Sequence, residues 1–156
     1  MTLNVALGHR APDFEAVDDR GQPVRLSDFR GRNVVLYFYP KDHTPGCTIE
    51  ARSFNARLEE FHRRNTVVLG VSTDDVASHG RFRDRCGLGF RLIADPRKEI
   101  CRTYGALGGV MGLLGWSRRV TVLIDREGVV RAIWEKVNPR QHPQEVLQKI
   151  DELGLN

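Results

Sequence analysis

The chain has 156 residues, 40% of them hydrophobic, which is enough apolar material for one domain with a sizeable core spanning residues 1–156. Its formal charge of +4 comes mostly from scattered arginines with no nucleic-acid-binding motif among them, so a solvated basic surface is expected and nucleic acid is not expected as a partner. No stretch is apolar enough to span a bilayer, residues 1–8 lack the features of a signal peptide, and three cysteines without metal-ligand spacing fit a reducing compartment, so a cytoplasmic protein is expected.

In chain order, the first thirty residues read as short extended pieces around the turn cluster Asp18-Asp19-Arg20-Gly21, followed by Leu26-Ser27-Asp28-Phe29, and are expected to cover one end of a sheet. Val34 to Tyr39 is continuously apolar and rich in β-branched and aromatic residues, the pattern of a buried strand. A helix start follows at once: Thr44 suits the N-cap, Pro45 the first helical position and Gly46 the second, which puts Cys47 at the third. There the thiol lies among backbone N–H groups with no intrahelical partner, and the partial positive charge of a helix N-terminus favours thiolate over thiol. Gly46 leaves room for a small substrate, and the Thr44 hydroxyl can donate or accept a hydrogen bond beside the sulfur. The pattern points to a reactive nucleophile; a buried structural cysteine is the alternative.

Ala51, Phe54, Leu58 and Phe61 then recur at helical spacing, opposite Glu50, Arg57, Glu60 and Arg64, with Asn65 as a stop. Val67 to Ser72 is a second buried strand. Asp74 and Asp75 offer an N-cap for a helix running to about Cys86, with Gly87 as its C-terminal cap. Phe90 to Ala94 is a third strand, Asp95-Pro96 starts a short helix, and Gly105 ends it. This β-α-β-α-β-α order calls for helices covering a largely parallel sheet. The glycine-rich apolar stretch from Gly105 to Ser117 reads as a loop packed near Cys47, with a partner-docking surface as the other option. Arg119 to Asp125 and Val129 to Glu135 form a hairpin through Arg126-Glu127-Gly128. Pro143 opens a closing helix with Val146, Leu147 and Ile150 inward and Gly154 as its stop.

The spacing Pro40-x-x-x-Thr44-x-x-Cys47 resembles the signature of the peroxiredoxins. The fuller Tyr37-Phe38-Tyr39-Pro40-Lys41 with Thr44-Pro45-Gly46-Cys47-Thr48 is similar to their Q-type, or bacterioferritin-comigratory, branch. The resemblance runs from Gly8-x-x-Ala11-Pro12-x-Phe14 through Leu26-Ser27-Asp28-Phe29-x-Gly31 to Arg119-Val120-Thr121-Val122-Leu123-Ile124-Asp125. It implies an α/β, thioredoxin-like fold with a central mixed sheet flanked by helices. It also implies a thiol peroxidase without metal or organic cofactor, in which Cys47 attacks a peroxide oxygen and becomes a sulfenic acid. By the same resemblance Arg119 supplies charge stabilisation, a task suited to a permanently charged planar fork, and Pro40 shields the sulfur. Thr44, Gly46, Cys47, Arg119 and Glu50 are the expected substrate-binding group. Glu50 either orients the arginine or is a surface carboxylate favoured by the helix dipole, and His43 is expected to be a solvated loop residue.

Returning the sulfenic acid to a thiol takes a second thiol. Many Q-type members carry one five residues after the first, but position 52 here is Arg52. That leaves Cys86, on the helix where some members carry a resolving cysteine, Cys101, expected to be buried and structural, or an external thiol. The resemblance implies thioredoxin or a similar dithiol as reductant, and a monomer by analogy with the branch. A one-cysteine peroxidase reduced directly by an external thiol is the alternative. The absence of a Cys-x-x-Cys pair disfavours a general disulfide oxidoreductase.

Overall fold

Six consecutive residues, Asn33–Phe38, are buried, as a strand covered on both faces requires. Their side chains alternate. Val35 and Tyr37 enter one hydrophobic core with Phe54, Phe61, Leu123, Val146 and Ile150, whereas Val34, Leu36 and Phe38 enter a second with Leu69, Val71, Ile100 and Tyr104. This strand, β3, is central to the sheet of the computed structural model, which describes residues 4–156; the first three residues of the expected domain lie outside them.

The remaining strands are β1 (Glu15–Asp18), β2 (Pro23–Arg25), β4 (Thr66–Ser72), β5 (Arg91–Ala94), β6 (Val120–Ile124) and β7 (Val130–Trp134). The helices are α1 (Pro45–Ala56), α2 (Leu58–Arg63), α3 (Val76–Cys86), α4 (Glu99–Tyr104), α5 (Gly109–Leu113) and α6 (His142–Glu152). The strands form one sheet in the order β2-β1-β5-β4-β3-β6-β7. Only β3/β4 and β4/β5 are parallel, and the other neighbours are antiparallel, so the sheet is mixed. Among the described residues no helix is long and apolar enough to cross a membrane.

Local signals placed most boundaries. Asp75 caps α3 by accepting from Ser78 N at 2.9 Å, and Gly87 ends it at φ 64°. Four expectations need correction. The N-terminal pieces do not cover an end of the sheet; they extend its edge, with Val17 opposite Ala94 and Glu15 opposite Arg25. The helix after Cys47 is interrupted at Arg57, whose N–H bonds Phe54 O at 3.1 Å in a tightened turn, and α2 then carries Phe61 onto the same core. Asp95-Pro96 does not begin α4. The Asp95 carboxylate instead accepts Ile100 N at 3.1 Å and Cys101 N at 2.9 Å, and Lys98 turns through φ 63° before the helix starts at Glu99.

The fourth correction concerns Gly105 to Ser117. It contains α5, and Val110, Leu113 and Leu114 are exposed instead of packing towards Cys47. Gly108 and Gly109 at φ 140° and 59° set the turn into this helix, a conformation closed to most side chains.

Candidate active site

The loop leaving β3 at Tyr39 returns the chain into α1, with Thr44 extended at the N-cap and Pro45 and Gly46 ahead of Cys47. Thr44 does not cap with its side chain. Its hydroxyl donates to Lys41 O at 2.8 Å, and its carbonyl accepts Thr48 N at 2.9 Å and Thr48 Oγ1 at 2.8 Å. The hydroxyl proton is therefore committed, and the oxygen is left as an acceptor. Cys47 is 1% exposed, and Pro40, at the start of the loop, is also buried.

Arg119 arrives from the other side of β3. Because β6 pairs antiparallel with β3 and Val120 lies opposite Phe38, the residue before Val120 stands where the Cys47 loop departs. Its guanidinium is divided: Nη2 donates to Cys47 Sγ at 3.4 Å and Nη1 to Glu50 Oε1 at 2.5 Å. Glu50, one turn after Cys47, is fully buried, which corrects its expected place on the solvent side of the helix. Its partner is the arginine just ahead of β6, which the helical pattern does not contain.

Burial pushes the Glu50 carboxyl up to about 7 against the opposing pull of Arg119, and its Oε2 has no hydrogen-bond partner among the described residues. For Arg119 burial works against the charge, but Glu50 and the Cys47 sulfur outweigh it and hold its pKa above the usual arginine value. His142 packs behind, its Nε2 2.8 Å from Thr121 Oγ1. Burial and then the charge of Arg119 lower it to about 4, so it is a neutral ring at pH 7.

Gly46 has a narrower role than expected. A Cβ there would stand 3.2 Å from Arg119 Nη2, so the space it leaves is filled by the guanidinium. Gly46→Ala is expected to push Nη2 off the sulfur and slow oxidation of Cys47 by about tenfold, since small misplacements at a reacting centre are costly. The helix itself should not suffer, because alanine is the better helix former. Stopped-flow oxidation beside a thermal melt checks this, and an unchanged rate would mean that Arg119 can yield freely.

A second cluster, with no signal in the sequence, holds the loop from below. Asp42 Oδ1 accepts Tyr39 OH at 2.6 Å, and Oδ2 accepts Ser78 Oγ at 2.8 Å and His79 Nδ1 at 2.7 Å. His79 Nε2 lies 3.0 Å from Ile93 O. The Ile93 carbonyl only accepts, so Nε2 carries a proton, and Nδ1 faces the Asp42 carboxyl. Burial opposes a charge on the ring, but the bond to Asp42 prevails and raises the His79 pKa. Asp74 accepts Asp42 N at 2.8 Å and Ser72 Oγ at 2.6 Å and pairs with Lys41 at 2.8 Å. Asp42, Asp74 and His79 are close enough together to suggest a metal site, but their facing atoms are already engaged with one another and with protein donors.

The structure does not bring Cys86 or His43 to this group. Cys86, at the end of α3, is half-buried against the same core as Cys47 and Tyr39. His43 is exposed, its ring edge-on to Phe82 at 5.4 Å between centroids. Cys101 is fully buried in α4, and burial followed by the neighbouring Asp95 pushes its thiol far above the usual range.

Residues 7–133 match the AhpC/TSA family. The chain is 37% identical over 159 residues to peroxiredoxin Bcp of Bacillus subtilis, covering 97% of this chain and 99% of that one. It is 38% identical over 150 residues to the chloroplastic peroxiredoxin Q of Oryza sativa subsp. japonica, covering 96% of this chain and 68% of that protein. Among solved structures, a cysteine-to-serine mutant of Xylella fastidiosa PrxQ superposes with a TM-score of 0.91 at 31% identity, over 96% of this chain and 98% of that one. The bacterioferritin comigratory protein of Xanthomonas campestris, described with alkyl peroxide reduction activity, gives 0.84 at 34% identity, over 90% and 91%.

Proposed function

The chain belongs to the AhpC/TSA family and is a thiol peroxidase of thioredoxin-like fold, and on that footing we propose that Cys47 is the thiol that meets the peroxide. The observation that carries this reading is the division of Arg119 between Cys47 Sγ and Glu50. In the proposed step the Cys47 thiolate attacks the hydroxyl-bearing oxygen of the peroxide. An S–O bond forms, the O–O bond breaks, and the sulfenic acid and an alkoxide result; the alkoxide takes a proton from solvent and leaves as alcohol, or as water when the substrate is hydrogen peroxide. Thr44 Oγ1 accepts the peroxide O–H, and Arg119 Nη2 donates to the oxygen on which charge develops. Gly46 admits that arginine, Glu50 steers it, and Pro40 closes the sulfur from water. Hydrogen peroxide and small organic hydroperoxides are the proposed substrates, the latter supported by the activity given for the Xanthomonas campestris relative.

For the second half, Cys86 is the proposed resolving thiol. Its S–H meets the Cys47 S–OH, a disulfide forms, and water leaves. Thioredoxin or a similar dithiol then reduces the disulfide. Cys101 is sealed in the core beside Asp95, whereas Cys86 is partly open to solvent, which favours it. The enzyme is proposed to act as a single-domain cytoplasmic monomer. The burial of Cys47 within an intact α1 supports a second reading, a one-cysteine cycle completed by an external thiol.

Intact mass after one equivalent of hydrogen peroxide, on wild type and Cys86→Ala, with non-reducing peptide mapping, separates these readings. A loss of two hydrogens mapped to Cys47 joined with Cys86 is expected, with Cys86→Ala stopping after one equivalent when thioredoxin is the reductant. One oxygen retained on Cys47 in both proteins would instead assign resolution to the reductant's own thiol. An unmodified Cys47 would overturn its role.

A further inference from the structure

Resolution by Cys86 poses a problem of distance. The Asn55 side chain, near the end of α1, donates to Gly87 O at 3.1 Å and accepts Gly89 N at 2.8 Å, which fixes the chain just after Cys86 to that end of the helix. Cys47 is at the other end of α1, eight residues away, and at 1.5 Å per residue the separation along the axis is about 12 Å. A disulfide needs Cα atoms within about 7 Å, so the start of α1 must unwind.

What stays fixed while it unwinds decides whether Cys47 finds Cys86. The loop ahead of Cys47 is bonded to the first turn of α3 through Asp42, which is 3% exposed and holds Ser78 and the fully buried His79. His79 in turn holds β5 through Ile93 O. The Asp42 carboxyl and the His79 ring thereby join the loop, the helix carrying Cys86 and the sheet. Seven helical residues separate His79 from Cys86, about 10 Å along α3, and five residues separate Asp42 from Cys47, able to reach about 17 Å when extended. Cys47 can therefore travel down α3 to Cys86 with Asp42 still in place.

We propose that Asp42 and His79 are positioning residues for the resolving step, a pin that sets the tether along which the Cys47 sulfenic acid reaches Cys86; this rests on Cys86 being the resolving thiol. The covalent step is unchanged: Cys86 S–H and Cys47 S–OH give the disulfide and water. Without the pin the loop keeps its hold on Asp74 through Asp42 N and Lys41, and as that contact opens the tether runs back to Tyr39, whose N–H bonds Val71 O, eight residues from Cys47 instead of five. Effective concentration falls roughly as the three-halves power of tether length, so resolution should slow by about twofold once the Asp74 contact opens, and more if the loop also leaves α3. A second peroxide then competes better for the sulfenic acid and carries it to sulfinic acid.

The test is rapid acid quench with intact mass on wild type, Asp42→Asn, His79→Gln and the milder Ser78→Ala, with thermal melts alongside. The expected result is slower disulfide formation in the first two, and a peroxide concentration for half overoxidation lowered by the same factor. Ser78→Ala, which keeps the Asp42–His79 pair, should lie between them and wild type. If either of the first two proves too unstable, the folded variants carry the comparison. Lower melting temperatures with unchanged resolution rates would mean a purely structural pair and overturn the pin alone. A wild type that forms no Cys47–Cys86 disulfide would overturn the pin together with the reading beneath it.

Discussion

Arg119→Met is expected to lower the second-order rate constant for oxidation of Cys47 by about a hundred- to a thousandfold, the cost of removing one preorganised donor from a site where negative charge develops. Methionine keeps much of the side-chain volume and loses the charge and both arms of the fork. Nη2 no longer reaches Cys47 Sγ, and Glu50 no longer has Nη1. The fold should survive. A fully buried Glu50 without its counter-charge takes up a proton instead of remaining an unpaired anion. Arg119→Lys should fall between, because an ammonium keeps the charge but cannot serve sulfur and carboxylate together in one plane. Competition kinetics against a peroxidase of known rate, with Cys47→Ser as the zero of activity, provides the measurement. A rate for Arg119→Met within fivefold of wild type would remove Arg119 from the proposed mechanism.

Glu50→Gln should remove a pH-dependent cost that the wild-type fold carries. The carboxyl titrates near 7 in the fold against an ordinary value of 4.5, so the folded state binds this proton more tightly than the unfolded state. The protonated form favours folding, and that advantage is lost as pH rises from about 4.5 through 7. At roughly 1.4 kcal/mol per unit the swing is about 3 kcal/mol. Glutamine resembles the neutral acid at every pH, so wild type and Glu50→Gln should be nearly equally stable at pH 4, and wild type less stable by about that amount at pH 8. Denaturant melts of both proteins across this range read the difference directly, since groups common to both largely cancel. A difference that stays flat, or changes in the opposite direction, would mean that Arg119 fully compensates the buried charge. Activity should move the other way. An ionised Glu50 holds Arg119 on the sulfur, so the more stable Gln variant should be the slower peroxidase, the exchange of stability for function common at reactive sites.

The parts of the molecule legible in sequence are those whose cause is local. Val34 to Tyr39 had to be a buried strand because its side chains are apolar or aromatic on both faces, and Pro45 had to open a helix because its fixed φ and missing N–H suit the first position. Gly87, Gly105 and Gly154 end or follow their helices at φ 64°, 75° and 64°, as the left-handed turn requires. Asp95 misled because its carboxylate caps from a turn away, with Lys98 in a left-handed conformation between it and the helix. The split of α1 from α2 was hidden because both halves keep the same apolar stripe.

By itself, then, the sequence determined the buried strands, many of the helix ends, the placing of Cys47 at the third position of α1, and a motif resemblance strong enough to name the family. Only the tertiary structure decided who surrounds that sulfur. Glu50 could be read as an orienter of the arginine or as a surface carboxylate until the pairing of β6 with β3 brought Arg119, 69 residues away, against it. Asp42 and His79, 37 residues apart, meet only when β3, β4 and β5 align in register. Backbone propensity and capping act over a turn or two and are written in neighbouring residues. Charge pairs acquire their partners and their low-dielectric surroundings only when distant strands close on one another, and no local pattern encodes that.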